Sequence, residues 1–180
     1  MRIPTVPQLA QIFAVVGAPI PAGVHILALR NRAGHTDFFD DMLLVLRGGK
    51  DILLACRCTT DPGKGPRMDP KNPAGCAVWA VGQVVDGLGL GKHHGQYECF
   101  VPIKPIPVLR YDSLEDVTGT PSTSTTTQIH RASADHESSV VGAWSEGCIV
   151  IANPGDFASA LAAAKTGGQK RWTVTLAEWS

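Results

Sequence analysis

The spacing of apolar positions divides the chain into a helical opening, a long β-textured middle and a helix–strand close. Leu9, Ile12, Phe13 and Val16 recur at i, i+3, i+4 and i+7. That single apolar stripe predicts a helix over residues 5–16, ended by Gly17, Pro19 and Pro21. From Val24 the period shortens. Residues 24–30, 41–46 and 52–60 read as strands, and the Arg47-Gly48-Gly49-Lys50-Asp51 connection makes the last two a hairpin. Residues 61–73, rich in Pro, Gly, Lys and Asp, predict a loop, and 75–85 a further strand. Residues 86–95 contain Gly87, Gly89, Gly91 and Gly95 and predict a turn-rich loop. Strands follow over 97–101 and 106–111, the second kept near an edge by Pro102, Pro105 and Pro107. The Ser/Thr run 122–127 reads either as a linker or as the lead into a strand. The β-branching of Thr and the presence of Ile129 favour a strand over 125–130.

The last third has sharper punctuation. Asn153-Pro154-Gly155-Asp156 supplies a cap, a first-turn proline and a carboxylate at a helix start. Phe157, Leu161 and Ala164 give that helix a buried face, and Gly167-Gly168 ends it. Residues 172–176 alternate as a final strand. The pattern adds up to one β-rich α+β domain over 1–180. Residues 1–23 form the helix and lead-in, and 24–180 form the β-rich core, without an internal repeat or domain boundary.

Composition narrows the function classes. The chain has 180 residues, of which 44% are hydrophobic and 18% charged, enough apolar material for one real core. Sixteen basic and sixteen acidic residues give zero formal net charge, which argues against a nucleic-acid partner. No apolar run approaches the roughly 18 residues of a membrane span, and the start lacks the pattern of a secretory signal. The expectation is synthesis in a cytoplasm. Five cysteines cannot all pair within one chain. Reduced thiols are expected, one of them a candidate reactive group.

The segment Ile129-His130-Arg131 … Trp144-Ser145-Glu146-Gly147-Cys148-Ile149-Val150 concentrates the candidate chemistry. A thiol attacks as thiolate, and a nearby imidazole can take its proton. Gly147, without a Cβ, lets a substrate backbone approach, and N–H groups around Gly147 and Cys148 are placed to stabilise an oxyanion. Ser145 can hydrogen-bond within the turn. By itself, a cysteine in a glycine turn is as readily a small buried residue.

This segment resembles the signature of L,D-transpeptidase catalytic domains (the YkuD-like fold). There a histidine follows a β-run, a Ser-His-Gly-Cys turn comes next, and an Arg or Asn stands two places after the cysteine. Cys148 lies 18 positions after His130, within the family's range, and an apolar strand and a capped helix follow. The resemblance implies Cys148 as nucleophile and His130 as base, with Ser145 and Gly147 shaping the turn. Glu146 replaces the family's turn histidine, and Val150 its Arg or Asn, which implies an outcome other than standard cross-linking.

A wider resemblance is to the phage and prophage murein peptidases, or endolysins, of the same fold, which carry a Ser-x-Gly-Cys turn. It rests on Arg30, Phe39-Asp40-Asp41, Thr59-Thr60-Asp61-Pro62-Gly63, Asn72-Pro73-x-Gly75, Gly82-Gln83, residues 90–97, Arg110-Tyr111 and Ile129-His130-Arg131. It extends from about Leu27 to Phe157.

The likeness implies mixed sheets or a sandwich and a cysteine peptidase that hydrolyses peptidoglycan stem or cross-link peptides without metal or cofactor. It implies a protein made in a host cytoplasm and acting on the wall after release or from a virion; a monomer is the expectation, with the oligomeric state left open by the sequence. Stem peptides end in carboxylates, which suit guanidinium groups. Arg131, Arg30 and Arg110, with Asp61, His93 and Glu146, are the candidate substrate-binding residues.

Blander readings stand beside these. Asp61 fits a turn, Cys56-x-Cys58 two small core residues, and His136 a solvated loop. The alternatives for the whole chain are a cross-linking transpeptidase, a metal-dependent murein peptidase built on His93, His94 and His130 with a carboxylate, and a non-catalytic wall-binding or virion module.

Overall fold

The amphipathic opening folds as helix α1 (Val6–Val16). The Gln8 side chain accepts from the Thr5 N–H at 2.8 Å, and Gly17 closes the helix in the left-handed region, φ 71°. The computed structural model describes residues 2–34 and 36–179. After α1 come strands β1 (Val24–Asn31), β2 (Asp41–Arg47) and β3 (Asp51–Thr59), short helix α2 (Lys64–Met68), and strands β4 (Cys76–Trp79), β5 (Gly82–His93), β6 (Tyr97–Pro102), β7 (Ile106–Tyr111), β8 (Thr120–Ser124) and β9 (Ile129–Arg131). A 3-10 turn (Gly142–Trp144), β10 (Ile149–Ile151), helix α3 (Pro154–Lys165) and β11 (Trp172–Trp179) complete the chain.

This is a single-domain, β-rich α+β fold with a helix near each end, as the hydrophobic pattern predicts. Its main sheet is a closed barrel rather than a sandwich, in the order β1-β11-β5-β6-β9-β10-β3-β2. Closure removes the unpaired edges an open sheet would leave. It depends on β11, which runs parallel to β1 and antiparallel to β5. A separate three-stranded sheet has the order β4-β7-β8.

Strand alternation divides the core. Ile26, Ala28, Leu43, Val45, Ile129, Ile149, Ile151, Val174 and Leu176 join Phe157, Ala160 and Ala164 of α3 in the main cluster. On the opposite side of β1 and β2, Leu27, Leu29, Leu44 and Leu46 meet Leu9, Ile12 and Phe13 of α1. Each such fully buried side chain contributes about 1.5–3 kcal/mol relative to exposure. The Asn153 side chain caps α3, accepting from Gly155 N–H at 2.8 Å.

Four local expectations are corrected. Residues 86–95 are mainly strand, because β5 runs through to His93. A Cβ at Gly89 would meet Ile103 at 2.9 Å and one at Gly91 would meet Val101 at 2.8 Å, so these glycines make room for neighbouring side chains. Residues 125–127 are not strand, since Ser124 Oγ accepts from the N–H groups of Thr126 and Thr127 and turns the chain. β7 is the centre of its sheet, not near an edge, with Pro107 at its start opposite Thr123. Within the expected loop 61–73 lies α2.

Arg30, expected at the substrate, is instead a clamp between elements. Its Nε donates to Thr60 Oγ1 at 2.9 Å, and one terminal nitrogen donates to the carbonyls of Thr60 (3.2 Å) and Trp79 (2.9 Å). Asp61 is its ion-pair partner at 3.8 Å. Arg30→Met is expected to cost about 2–4 kcal/mol of stability, from lost charge-assisted bonds and carbonyls left buried, with no change in KM. Denaturant unfolding combined with steady-state kinetics checks both; a raised KM at wild-type stability would return Arg30 to the substrate site.

Candidate active site

The parallel pairing of β9 and β10 sets the site. Its register aligns Ile129 with Ile149 and His130 with Val150. Extended one step towards the chain start, it sets Gln128 beside Cys148, and the Gln128 N–H donates to Cys148 Sγ at 3.2 Å. Alternation turns Ile129, Ile149 and Ile151 into the main core. Val150 and Ala152 point the other way, into a small cluster with Phe39 and Val141, against which half-buried Cys148 packs.

Beside this face lies a cleft of about 1080 Å³. Cys148, Gln128 and His130 line it, with the β5–β6 hairpin (His93, His94, Tyr97) on one side and Cys76, Ala77 and Arg110 of the small sheet on another. The volume slightly exceeds that of a drug-sized ligand pocket and suits an extended peptide.

The turn before Cys148 is tightly specified. Ser145 is fully buried; its Oγ donates to the Cys148 carbonyl at 2.8 Å and accepts from Gly147 N–H at 3.2 Å. Ser145 O accepts from Gly63 N–H at 3.0 Å, which ties the 60–63 segment to the back of the turn. Gly147 has φ 124°, and a Cβ there would stand 2.5 Å from the Ala77 carbonyl oxygen. The space that glycine opens is therefore taken by β4 and not left for a substrate backbone.

His130 is buried. Its Nδ1 lies 2.8 Å from the Arg131 carbonyl, an acceptor, so Nδ1 carries the proton and Nε2 is the basic nitrogen. Tyr97 OH donates to the same carbonyl at 3.3 Å. The His93 ring stacks on His130, with centroids 4.0 Å apart and planes inclined 23°. His93 Nδ1 lies 2.6 Å from Gln128 Oε1. The described hydrogen bonds include none between Sγ and the imidazole of His130; catalytic bonds in unliganded enzymes are often long and tighten on binding.

Burial governs the protonation states. It pushes the Cys148 thiol up to about 11, against the opposing pull of the Gln128 N–H. It pushes His130 down to about 4, partly offset by the hydrogen bond to Arg131. The resting pair is therefore neutral thiol and neutral imidazole.

No family model, curated protein or solved structure significantly matches this chain. The function must be read from the cleft itself.

Of the residues proposed for substrate, His93, Arg110, Arg131 and Glu146 line the cleft. Arg131 lies over the Tyr97 ring at 4.2 Å, and Arg110 donates to the Gly75 carbonyl at 3.0 Å. Glu146 pairs with Lys71, so the two guanidinium groups leave the cleft cationic. Arg30 and Asp61 are bonded to each other outside its lining. His136 bonds Ser133 Oγ, also outside it. Among the described residues no three His, Cys, Asp or Glu side chains converge as metal ligands. Cys56 and Cys58 are core residues.

Sequence reading missed Gln128 and Tyr97. A detectable signal existed for Gln128: two positions before His130 on an extended segment, it shares that residue's face. Its N–H reaching Sγ depends on the β9–β10 register.

Proposed function

We propose that this chain is a cysteine peptidase acting on bacterial peptidoglycan, of the murein-hydrolase kind that its Ser145-x-Gly147-Cys148 turn resembles. The observation that carries the proposal is the β9–β10 pairing, which brings Cys148 and a His130 of fixed tautomer to one cationic cleft. In this reading Arg131 and Arg110 receive the carboxylates of a stem peptide.

Because the resting pair is neutral, Sγ attacks the peptide carbonyl as its proton passes to His130 Nε2. The Gly147 N–H is committed to Ser145, so the N–H of Cys148 itself is the oxyanion donor. His130 then protonates the leaving amine, and an acyl-enzyme forms. Water completes hydrolysis; an amine acceptor would complete a cross-link. The protein would reach the wall after release from a host cytoplasm or from a virion. Among the described residues no helix is long and apolar enough to cross a membrane.

Mass spectrometry of peptidoglycan incubated with the protein tests this reading. Shortened stem or cross-link peptides are expected, with product formation blocked by a thiol alkylator and unaffected by a chelator. Intact muropeptides, or loss of activity to the chelator alone, would refute it.

The protonation states also set a pH profile. His130 accepts a proton only when deprotonated, so kcat/KM should hold from pH 9 to pH 5. Below the His130 value of about 4 it should fall about tenfold per unit. A soluble muropeptide assay, with circular dichroism confirming the fold at each pH, checks this; an acid limb centred near 6.5 would show that burial does not hold the catalytic base neutral into the acid range.

A further inference from the structure

The β5–β6 hairpin brings a second imidazole against the proposed base, and that contact has a chemical consequence. His93 is half-buried and lines the cleft. Its ring lies nearly parallel to that of His130, with centroids 4.0 Å apart. Gln128 holds it: Oε1, an acceptor, stands 2.6 Å from His93 Nδ1 and also accepts from Cys99 Sγ at 3.5 Å. The same residue's N–H reaches Cys148 Sγ. Gln128 thus fixes the sulfur through its backbone and the second imidazole through its side chain. The other groups facing His93 are His94 and Tyr97 from its own hairpin and Arg131 from β9.

We propose that His93 is a positioning residue for His130: its neutral ring face fixes the plane of the base and supports the imidazolium formed when Cys148 gives up its proton. This rests on the Cys148–His130 reading of the cleft and goes beyond it, by moving His93 from substrate binding to control of the base. A neutral aromatic face attracts a cation placed over it. A protonated His93 would repel that cation, and burial together with the charges of His94 and Arg131 keeps His93 neutral by lowering its pKa, against the hydrogen bond to Gln128. The device needs a flat, uncharged π face and not a hydrogen-bonding group. Phenylalanine should therefore serve in its place, and alanine should not.

The test uses the full chain and two readouts that need no peptidoglycan. The first is the NMR titration of His130 in the wild type, His93→Phe and His93→Ala. The second is the pH-dependent alkylation of Cys148 by iodoacetamide, followed by peptide mass spectrometry, with His130→Ala as a reference.

His93→Phe is expected to keep the wild-type His130 titration and to alkylate within about twofold of wild type. His93→Ala, which removes the face that supports the imidazolium, should move the His130 titration further below the wild-type value and slow alkylation at neutral pH by about tenfold. Unchanged titration and alkylation in His93→Ala would overturn the proposal, as would a His93→Phe protein as impaired as His93→Ala. If His130→Ala slows alkylation while His93→Ala does not, the positioning role is wrong and the dyad stands. If His93→Ala shifts the His130 titration while His130→Ala leaves alkylation unchanged, the ring contact is real but the dyad is wrong, and the positioning role falls with it.

Discussion

Cys148→Ala is expected to abolish peptide release from purified peptidoglycan while leaving the fold intact. The thiol is half-buried at the margin of the cluster formed by Phe39, Val141, Val150 and Ala152, so its removal exposes little and leaves a small gap. The one described hydrogen bond to Sγ comes from Gln128 N–H, which the cleft's water can satisfy instead. The cost to stability should stay within about 1 kcal/mol. The cost to activity should be several orders of magnitude, because no other group at the cleft floor replaces the nucleophile in a covalent mechanism. Cys76 and Cys99 do not substitute for it: both are buried where Cys148 is half-buried, Cys76 stands on the opposite, small-sheet wall of the cleft, and Cys99 Sγ is bonded to Gln128 Oε1 at 3.5 Å. Muropeptide release compared at equal folded protein decides the matter. If the alanine variant still releases fragments at a comparable rate, cysteine catalysis is wrong.

Gly147→Ala should damage both fold and site. At φ 124° an L-residue is strained, and the added Cβ would stand 2.5 Å from the Ala77 carbonyl oxygen and 2.9 Å from the Ala77 Cβ. Backbone strain costs about 1–3 kcal/mol and overpacking about 1–3 kcal/mol more. The combined loss of roughly 2–6 kcal/mol should lower Tm by roughly 4–24 °C for a domain of this size. Relief can come only by moving β4 or the 145–148 turn. Either motion shifts Cys148 relative to His130, so the folded fraction should also lose activity. Thermal melts and iodoacetamide labelling of Cys148 measure the two effects separately. A variant with the wild-type Tm and labelling rate would show that the turn tolerates a side chain and that its geometry is not fixed by β4.

The two variants probe parts of the site that differ in how far they can be read from sequence. Cys148, His130 and the Ser145-Glu146-Gly147 turn stand out as residue types at a recognisable spacing. The hydrogen bonds of Ser145 inside its own turn are local, and the sequence expectation matches what the structure shows. The role of Gly147 reads differently. Sequence indicates a residue without Cβ, but the group that needs the space is Ala77, 70 positions earlier, and not a ligand. Arg30 and Asp61 read as substrate groups from the family resemblance and from the fit of a guanidinium to a stem-peptide carboxylate. Thr60 and the Trp79 carbonyl claim Arg30 through contacts that periodicity cannot show.

By itself the sequence determined the elements whose cause is local: α1 from its apolar stripe and Gly17, the β2–β3 hairpin from two apolar runs about Gly48-Gly49, and α3 from the Asn153 cap. It also determined the β-rich α+β class, because that class follows from the sum of those periods. The tertiary structure decided everything set by register between distant strands. It closed the barrel by placing β11 beside β1, made a strand of the glycine-rich 82–93 segment because Val101 and Ile103 fill the space a Cβ would occupy, and laid β9 parallel to β10. A strand's alternation says which side chains share a face but not which strand lies next to it, since any apolar neighbour satisfies the same pattern. For that reason the residues of the candidate dyad are legible in the chain, while the Gln128 and His93 contacts around them exist only once β5, β6, β9 and β10 are paired.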